Sequence, residues 1–392
     1  MENNGPLAGL RILDLSTVVL GPMTGQYLGD MGADVIKIEA PEGDITRSIG
    51  PRRSEGMGAL YLANNRNKRS VVLDLKAKTD RDVLRQMVLN SDVILHSIRT
   101  DSARRLGINY EDMRKLNPKL VYCHLTGFSD DGPYAGKAAY DDIIQALSGL
   151  AMLQTVVGGE PRYVPSIIAD KISAVHAAYA IALALFHRER TGKGQKVVVP
   201  MFETMVAFNM AEHMGGQIFE PSEGAMGYKP VREALRRPFQ TSDGYICFLP
   251  YTDANWTKFL ALIGRNDLQV DPTFYSQKGR QDNLDIVWAE VRHLIKARST
   301  AEWLTLLEGS DIPYAIVNDL EELLEDPHLH ATGFWEMHYH STEGWMRFPA
   351  PPLQFSATPG AIYRLPPLLG EHTDEILKEF GIIGGVVQPQ DR

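Results

Sequence analysis

The stretch that decides the fold is residues 10–39, where two apolar runs flank a turn and a helical segment: Leu10–Leu15 (LRILDL), Gly21-Pro22, Met23–Met31 (MTGQYLGDM) and Ala33–Glu39 (ADVIKIE). The two apolar runs are short and rich in the aliphatic residues that favour buried strands. The unit closes within about thirty residues, which is the size of a βαβ crossover. The sequence therefore predicts two strands joined by a helix.

The same alternation continues downstream. We predict strands at Ser70–Leu75, Asp92–Ser97, Leu120–Thr126 and Gln195–Val199, and helices near Asp80–Asn90, Tyr110–Leu116, Tyr140–Leu153, Asp170–Arg190 and Phe202–His213. Strands that alternate with helices indicate an α/β fold, in which helices cover both faces of a parallel sheet.

Composition narrows the class of protein. Lys and Arg total 40 and Asp and Glu 49, for a formal net charge of −9, so general nucleic-acid binding is excluded and an anionic ligand needs a local basic cluster. Two cysteines in 392 residues are too few for a disulfide framework and are typical of a reducing compartment. The first residues do not resemble a signal peptide, and the longest apolar stretch, within Ser173–Phe186, is too short to span a bilayer. We expect a soluble, cytoplasmic protein without a membrane partner.

The composition changes along the chain. Gly215–Arg237 holds several glycines and three arginines and indicates a linker or a mobile loop. The block that follows mixes a strand at Ser242–Leu249 with several helices, which predicts a smaller second domain. Phe348–Pro367 is rich in proline, and we expect it to wrap over a surface before a last helix at Thr373–Phe380.

Motifs for common cofactors are missing. The turn at Val18–Gly25 lacks the Gly-x-Gly-x-x-Gly pattern of dinucleotide sites, and there is no Walker A sequence. The histidines His328, His330, His338 and His340 are close in sequence but have no HExxH or Cys/His framework around them. We interpret them as surface or loop histidines and predict no metal site.

Asp170 is the candidate for covalent chemistry. It stands directly before the long apolar helix, where an Asp commonly caps the helix N-terminus. Backbone N–H groups at the same place stabilise an anion, and a carboxylate can form a covalent intermediate with an acyl carbon. The two interpretations are compatible.

Several basic side chains recur in this half of the chain. Lys68-Arg69 precedes a predicted strand, Arg99 follows one, Arg104-Arg105 open the next segment, and Lys137 ends the segment Tyr134–Lys137. Such residues are usually solvated surface charges. Ligands of α/β sheets bind beyond the carboxyl ends of the strands, so Arg99, Arg104 and Arg105 are alternatively a site for phosphates.

Taken together, these segments resemble the class III CoA-transferases, the family of formyl-CoA transferase and carnitine CoA-transferase. The resemblance covers nearly the whole chain and rests on the order and spacing of short motifs: Pro6–Leu15, Gly21-Pro22, Gly32–Pro41, Gly43-Asp44, Arg47, Asn67–Ser70, Leu73–Lys76, Gly127-Phe128, Gly132–Tyr134, Ala139–Asp141, Gln145–Gly149, Arg190–Gln195 and Leu369–Thr373.

The resemblance implies a two-domain chain. Residues 1–215 form the first part of a Rossmann-like large domain, the return segment 330–392 completes it, and 225–325 form a small α+β domain. Two such chains interlock as linked rings in a homodimer. The family nucleophile, an Asp just before the helix that leads to the TG-x-GQ motif, falls at Asp170, and a tyrosine near the thioester falls at Tyr140. The implied CoA contacts are Val19, Leu20, Leu73, Lys76, Ser97, Ile98, Arg99, Arg105 and Lys137.

This chain departs from the family pattern at three places. The family commonly has Glu-Asn-Phe after the fourth strand, where this chain has His96-Ser97-Ile98, and Ser97 is expected to donate a weaker contact to CoA. A basic residue that some members place after the second strand is Ala40. The glycine-rich loop that shields the intermediates in formyl-CoA transferase is reduced to Gly224–Lys229.

The resemblance implies reversible transfer of CoA from an acyl-CoA to a free carboxylic acid through a mixed anhydride and an aspartyl-CoA thioester, with no metal and no cofactor beyond CoA. One alternative is a 2-methylacyl-CoA racemase on the same fold, which has a His-Asp pair where this chain has Tyr140-Asp141. Another is a non-catalytic acyl-CoA binding protein. Succinyl-CoA is a common donor in the family, and Arg232, Arg236 and Arg237 are candidates to pair with the distal carboxylate of a dicarboxylic acid.

Overall fold

The computed structural model describes residues 4–232, 237–383 and 386–387. The described residues divide into two compact units. The larger unit takes its residues from Met1–Thr155, Glu160–Ala211 and His328–Arg392, and the smaller unit from Val156–Gly159 and Glu212–Pro327.

The larger unit is built on a six-stranded sheet: β1 Arg11–Leu15, β2 Asp34–Glu39, β3 Lys68–Val72, β4 Val93–His96, β5 Val121–Thr126 and β6 Lys196–Pro200. The order across the sheet is β3-β2-β1-β4-β5-β6, and every neighbouring pair is parallel. The predicted α/β class with a parallel sheet is thus confirmed. The strand order reverses between β1 and β4, and a crevice forms beyond the carboxyl ends of parallel strands at such a switch point.

Helices up to residue 213 are α1 Leu20–Asp30, α2 Ala59–Asn64, α3 Lys78–Leu89, α4 Thr100–Leu106, α5 Tyr110–Leu116, α6 Asp141–Leu147, α7 Leu150–Leu153, α8 Thr155–Gly158, α9 Ile168–Thr191 and α10 Met201–His213, with a 3₁₀ turn at Ile45–Ser48. Two apolar clusters form the core of this unit. One joins strand residues such as Ile12 to α1 and α9, and the other joins residues such as Leu13 to α3 and α5. Ile12 and Leu13 are consecutive, so they point to opposite faces of the sheet.

Two predicted helix boundaries are wrong. The helix predicted at Met23–Met31 begins earlier, at Leu20, because the chain turns sharply at Val18 (φ 74°). The helix predicted at Tyr140–Leu153 is two helices, because Gly149 adopts a left-handed conformation (φ 85°) that an α-helix cannot continue through.

Lys68 and Arg69 are buried, so their interpretation as solvated surface charges is wrong. The ammonium group of Lys68 donates to the Asp14 carboxylate (2.9 Å) and to the carbonyl oxygen of Pro22 (2.7 Å). The Arg69 guanidinium donates to the carboxylates of Asp34, Glu375 and Glu379. Each buried cation is therefore neutralised by carboxylates that come from other elements.

The chain returns to the larger unit through α18 Pro327–Ala331, the antiparallel hairpin β10 Trp335–His340 and β11 Gly344–Pro349, α19 Thr373–Glu379, and the short strands β12 Ile382–Ile383 and β13 Val386–Val387. Residues 350–367 have no regular structure, as expected for the proline-rich tail. They are held by hydrogen bonds such as those from Arg47 and Tyr61 to the carbonyl oxygen of Pro367. The last helix lies where the sequence predicts it.

The smaller unit contains α11 Lys229–Arg232, the antiparallel strands β7 Phe239–Gln240, β8 Tyr245–Phe248 and β9 Tyr314–Ile316, and α12 Asp253–Leu262, α13 Asn266–Gln269, α14 Pro272–Tyr275, α15 Gln277–Asp282, α16 Leu284–Lys296 and α17 Thr300–Leu307, with 3₁₀ turns at Gly215–Ile218 and Glu322–Leu324. Its core is rich in aromatic side chains such as Trp256, Phe259 and Trp303. α17 begins with a capping box, in which the side chains of Ser299 and Glu302 each accept a hydrogen bond from the other residue's backbone N–H.

The helix α9 is 24 residues long and apolar enough, by length and composition alone, to cross a membrane. Core helices of water-soluble proteins pass the same test, and Ala174, Ala177 and Ile181 of α9 are buried against the sheet. This criterion therefore does not distinguish a membrane span from a core helix.

Candidate active site

A cavity of about 210 Å³ opens beyond the carboxyl ends of β1, β4 and β5, at the switch point of the sheet. Seven of the residues singled out in the sequence line it: Val19, Leu20, Ser97, Arg99, Lys137, Tyr140 and Asp170. They come from four separate parts of the chain, and the sheet order brings them together. Ligands of open α/β sheets bind at this edge.

The wall formed by Val19 and Leu20 is shaped by an unusual turn. Val18 has a left-handed backbone (φ 74°), which is rare for a β-branched residue, and its N–H donates to Asp44 Oδ1 (3.3 Å). The buried Lys37 ammonium donates both to Asp44 Oδ2 (2.9 Å) and to the carbonyl oxygen of Ser16 (3.1 Å). The turn between β1 and α1 is thus held on both sides by one buried ion pair.

Asp170 lies in the first turn of α9, two residues after the helix begins, and is 9% exposed. Its interpretation as the N-terminal cap is wrong, because the residue at the cap position is Ile167. Asp141, the first residue of α6, supplies the cap instead. Asp141 Oδ1 accepts hydrogen bonds from the N–H groups of Ala169 (2.7 Å) and Asp170 (3.2 Å).

Gln145 holds the other side of this arrangement. Its side-chain amide donates to Asp141 Oδ2 (2.7 Å) and to the carbonyl oxygen of Ser166 (3.2 Å), and its carbonyl oxygen accepts from the N–H of Val164 (2.9 Å). One turn of α6 therefore orients both the carboxylate of Asp141 and the loop that leads into α9. The position of Asp170 follows from these contacts.

The Asp170 carboxyl is electrostatically unusual. Burial raises its pKa, the negative charge of Asp141 raises it further, and the resulting pKa is about 7. No hydrogen bond or ion pair to the Asp170 carboxylate is present in the described part of the chain. A desolvated, unpartnered carboxylate beside a cavity has the properties of a nucleophile rather than of a structural cap.

The other lining residues supply a cationic and aromatic rim. Lys137 and Arg99 are exposed at the cavity, and neither forms an ion pair with any residue for which the structure gives a position. The Lys137 ammonium lies 4.3 Å from the centre of the Tyr134 ring. Tyr140 is 67% exposed and directly precedes α6. Two unpaired cations at the mouth of a cavity favour an anionic ligand.

Four predicted contact residues are not in this cavity: Leu73, Lys76, Ile98 and Arg105. Leu73 is buried in the apolar core, and Lys76 is exposed just beyond the end of β3. Ile98 packs against the same core, although it lies between two lining residues. Arg105 is exposed on α4, where its guanidinium donates to the hydroxyl of Ser102 (2.9 Å).

The sequence reasoning did not select several residues that shape the site, among them Asp141, Gln145, Asp44 and His124. Asp141 and Gln145 lie inside motifs that carried the resemblance, Ala139–Asp141 and Gln145–Gly149, and this position in the sequence could have marked them as site residues. Asp44 stands in the Gly43-Asp44 motif, which also carried the resemblance, whereas His124 acts through contacts with the neighbouring strand β4, for which no local pattern gives a signal.

The histidines predicted to be scattered differ in environment. His340 is buried and bonds the carbonyl oxygen of Pro366 (3.0 Å), and His338 contacts the Glu336 carboxylate (2.7 Å). His340 is thus not a surface residue. Among the residues with described positions, no group of three or more His, Cys, Asp and Glu side chains is arranged to hold a metal ion.

Fold and site together define an α/β protein with a buried carboxylate of raised pKa at a cation-rimmed cavity. The model of CoA-transferase family III matches residues 7–373, and the chain belongs to that family of enzymes. It is 33% identical over 405 residues to the succinate–glutarate CoA-transferase of Agrobacterium fabrum (strain C58), with 98% of both chains covered. It is 34% identical over 392 residues to the acetyl-CoA:oxalate CoA-transferase of Acetobacter aceti, with 96% of both covered.

Solved structures agree with this placement. The crystal structure of Rv3272 from M. tuberculosis superposes with a TM-score of 0.82 at 28% identity and covers 95% of this chain and 99% of its own. The similarity therefore extends over the whole fold and not over the parallel sheet alone.

Proposed function

We propose that this CoA-transferase moves CoA from an acyl-CoA thioester to a free carboxylic acid, with Asp170 as the covalent nucleophile. The observation that carries the proposal is the Asp170 carboxyl itself. It is nine-tenths buried, it lines the cavity, and burial raises its pKa to about 7. A carboxylate stripped of water and of hydrogen-bond donors is a stronger nucleophile than a solvated one.

In the first half of the reaction, an Asp170 carboxylate oxygen attacks the thioester carbonyl carbon. The carbon–sulfur bond breaks, a mixed anhydride forms, and CoA leaves as a thiolate that stays bound. The thiolate then attacks the aspartyl carbonyl carbon of the anhydride. A carbon–oxygen bond breaks, the donor acid leaves as its carboxylate, and Asp170 carries CoA as a thioester.

The second half runs the same steps in reverse with the acceptor acid. Its carboxylate attacks the aspartyl thioester, CoA thiolate leaves, and the thiolate attacks the acceptor's acyl carbon. The Asp170 carboxylate is regenerated, so no net proton, electron or metal is needed. Because an anhydride hydrolyses readily, the buried position of Asp170 protects the intermediate by limiting access of water. Tyr140, at the rim, is proposed to contact the thioester.

CoA is proposed to enter over the carboxyl edge of the sheet. Val19, Leu20, Ser97, Arg99 and Lys137 line the cavity that holds its thioester end. The remaining proposed contacts, Leu73, Lys76, Ile98 and Arg105, follow the ends of β3 and β4 outside the cavity, where a long ligand such as CoA extends. The cations in this set suit the phosphates of CoA.

The acid partners are proposed to be dicarboxylic acids, with succinyl-CoA as a donor. The names of the Agrobacterium and Acetobacter relatives support this, since they contain succinate, glutarate and oxalate. Of the arginines proposed to pair with a distal carboxylate, Arg237 is exposed, Arg236 lies outside the described residues, and Arg232 is described only by its backbone.

We further propose that the larger unit is Rossmann-like, that the enzyme is an interlocked homodimer in the cytoplasm, and that it uses no cofactor besides CoA as substrate. The strand order β3-β2-β1-β4-β5-β6 supports the Rossmann-like assignment.

An exposed apolar stripe on α9, formed by Val175, Tyr179, Leu183 and Phe186, supports a dimer, because such a stripe is usually covered by a partner. Sedimentation velocity of the full chain tests the dimer, and a monomer at micromolar concentration would exclude it.

The proposed mechanism is tested by trapping. The protein is incubated with succinyl-CoA and reduced with borohydride, and peptide mass spectrometry is expected to find the modification at Asp170 alone. Asp170→Asn is expected to lose transfer, whereas Asp142→Asn, which changes an exposed neighbouring acid on α6, keeps it. Full turnover by Asp170→Asn would exclude the covalent mechanism.

A donor–acceptor matrix, analysed by mass spectrometry of the CoA products, separates the alternatives. Transfer to at least one dicarboxylate is the expected outcome. Solvent deuterium exchange into a 2-methylacyl-CoA without an acceptor acid would indicate a racemase. CoA binding without any transfer would indicate a binding protein.

A further inference from the structure

Two buried histidines lie directly behind the wall of the cavity. His96 ends β4 and His124 lies on β5, and their Cα atoms are paired in the sheet. Their rings stack with centroids 4.7 Å apart and planes inclined by 18°. Neither side chain has a role in the reaction proposed above, although His124 reaches the cavity.

The two rings hold both backbone polar groups of one residue, Ile98. The N–H of Ile98 donates to His96 Nδ1 (3.2 Å), and the carbonyl oxygen of Ile98 faces His124 Nε2 (3.1 Å). A carbonyl oxygen only accepts, so His124 carries its proton on Nε2. The segment just after β4 is thus held by imidazoles where a neighbouring strand would otherwise supply the hydrogen bonds.

The remaining nitrogen of His96 is also satisfied. His96 Nε2 lies 2.7 Å from the Tyr122 hydroxyl, which donates to the carbonyl oxygen of Ile108 (3.0 Å). The Tyr122 oxygen therefore accepts from His96 Nε2–H, and Nδ1 is left free of a proton as the acceptor for Ile98. Burial lowers the pKa of both imidazoles, that of His96 well below its usual value, which keeps this neutral pattern in place.

Ile98 stands between two residues of the cavity wall. Ser97 and Arg99 both line the cavity, and α4 begins at the next residue, Thr100. Because the peptide units on either side of Ile98 are fixed by the histidines, the direction of the Ser97 and Arg99 side chains is fixed with them. We infer that His96 and His124 are positioning residues that orient the Ser97–Arg99 wall for CoA. This inference rests on the proposed CoA site.

The geometry allows a reciprocal test, because the two histidines use different ring nitrogens. The side-chain oxygen of Asn lies where Nδ1 of a histidine lies, and the amide nitrogen of Gln reaches the position of Nε2. His96→Asn therefore keeps the acceptor for Ile98 N–H, and His96→Gln displaces it. At position 124 the expected order of the two variants is reversed. His124→Gln keeps a donor to the carbonyl oxygen of Ile98, whereas the side chain of Asn in His124→Asn is too short to reach that oxygen.

CoA affinity is measured by calorimetry on the full chain for the wild type and the four variants, with thermal melting as the check on folding. We expect His96→Asn and His124→Gln to bind CoA within about threefold of the wild type, and His96→Gln and His124→Asn to bind about tenfold more weakly, the effect of one lost buried hydrogen bond. If the two histidines only filled space in the core, the better-tolerated substitution would not change from Asn at position 96 to Gln at position 124.

The two pairs of variants are separate single-site tests, so failure of one variant to fold leaves the other pair as the test. Equal CoA affinities within each folded pair, or the opposite order, would overturn the inference while leaving the proposed function intact. No binding of CoA by the wild type would overturn the proposed function and this inference with it.

Discussion

The carboxylate of Asp141 caps the helix that carries Asp170 and, by its charge, raises the pKa of Asp170. One oxygen of Asp141 takes up two backbone N–H groups of the first turn of α9. Among the described residues, no N–H group donates to the Asp170 carboxylate itself. The cap therefore keeps the candidate nucleophile in place while leaving its charge weakly stabilised, and both effects are open to experiment.

The pH dependence of transfer reports the pKa of Asp170. The carboxylate is the reactive form, so kcat/KM is expected to rise with pH through about 7, the pKa that burial and Asp141 impose. Asp141→Asn removes the charge but can still accept the two N–H bonds. We expect it to move the midpoint of the profile to lower pH by roughly half to one pH unit. An unchanged midpoint in Asp141→Asn would show that the Asp141 charge does not act on the nucleophile.

Stability is expected to depend on Asp170 in the opposite sense to activity. Its pKa is about 7 in the folded state against an ordinary 3.8, so the folded state binds the extra proton between these values. The associated stability is complete below about pH 4 and is lost as the pH rises through 7. Asp170→Asn has no carboxyl group at this position and does not lose this stability. The difference in unfolding free energy between Asp170→Asn and the wild type should therefore shift in favour of the variant by roughly 2 kcal/mol from pH 5 to pH 8. Urea unfolding at the two pH values measures the gain, and a constant difference would contradict it.

The hydrogen bonds that Asp141 accepts at the start of α9 can be tested separately from its negative charge. Asp141→Ala leaves the N–H groups of Ala169 and Asp170 without a partner, whereas Asp141→Asn does not. The Ala variant should be less stable than the Asn variant by about 1–2 kcal/mol in urea unfolding at pH 7. Equal stability would mean that water replaces the cap at no cost.

The turn at Val18 is expected to be strained. Val18→Ala and Val18→Gly both remove the side chain, but only glycine adopts the observed φ of 74° without a steric penalty. The Gly variant should be more stable than the Ala variant by about 1 kcal/mol, the reverse of the order expected at ordinary backbone angles. Thermal melting of the two variants side by side measures the difference. A more stable Ala variant would show that the turn relaxes.

The cations of the site should contribute unequally to CoA binding. Arg99 and Lys137 line the cavity, whereas Arg105 is exposed outside it. We expect Lys137→Gln and Arg99→Gln each to weaken CoA binding about tenfold at low salt, because these two cations line the cavity without an ion-pair partner among the described residues. Arg105→Gln should weaken binding only about twofold, because the Arg105 guanidinium lies outside the cavity and already donates to Ser102. Lys115→Gln, on the exposed face of α5, is the matched control and should bind like the wild type. A larger loss for Arg105→Gln than for Lys137→Gln and Arg99→Gln would contradict this ranking of the cations.

Much of the fold could be read from local patterns. The strands Arg11–Leu15, Asp34–Glu39 and Val121–Thr126 lie where short apolar runs predict them, because buried parallel strands need apolar residues on both faces. Boundaries that depend on one backbone angle, as at Val18 and Gly149, could not be predicted in the same way. The assignment of Asp170 as the nucleophile rests on the resemblance and the site geometry, and it stays a prediction.

The sequence by itself determined the alternation of strands and helices, the membership of CoA-transferase family III and the set of residues worth testing, because periodicity and motif order are properties of the chain alone. Only the tertiary structure decided which of those residues meet. It made Asp141 the cap of a helix that starts 27 residues further on, buried Lys68 against Asp14, and placed His96 and His124 behind the cavity wall. Such contacts depend on strand order and register, which set distances between residues far apart in the chain and which no local pattern records.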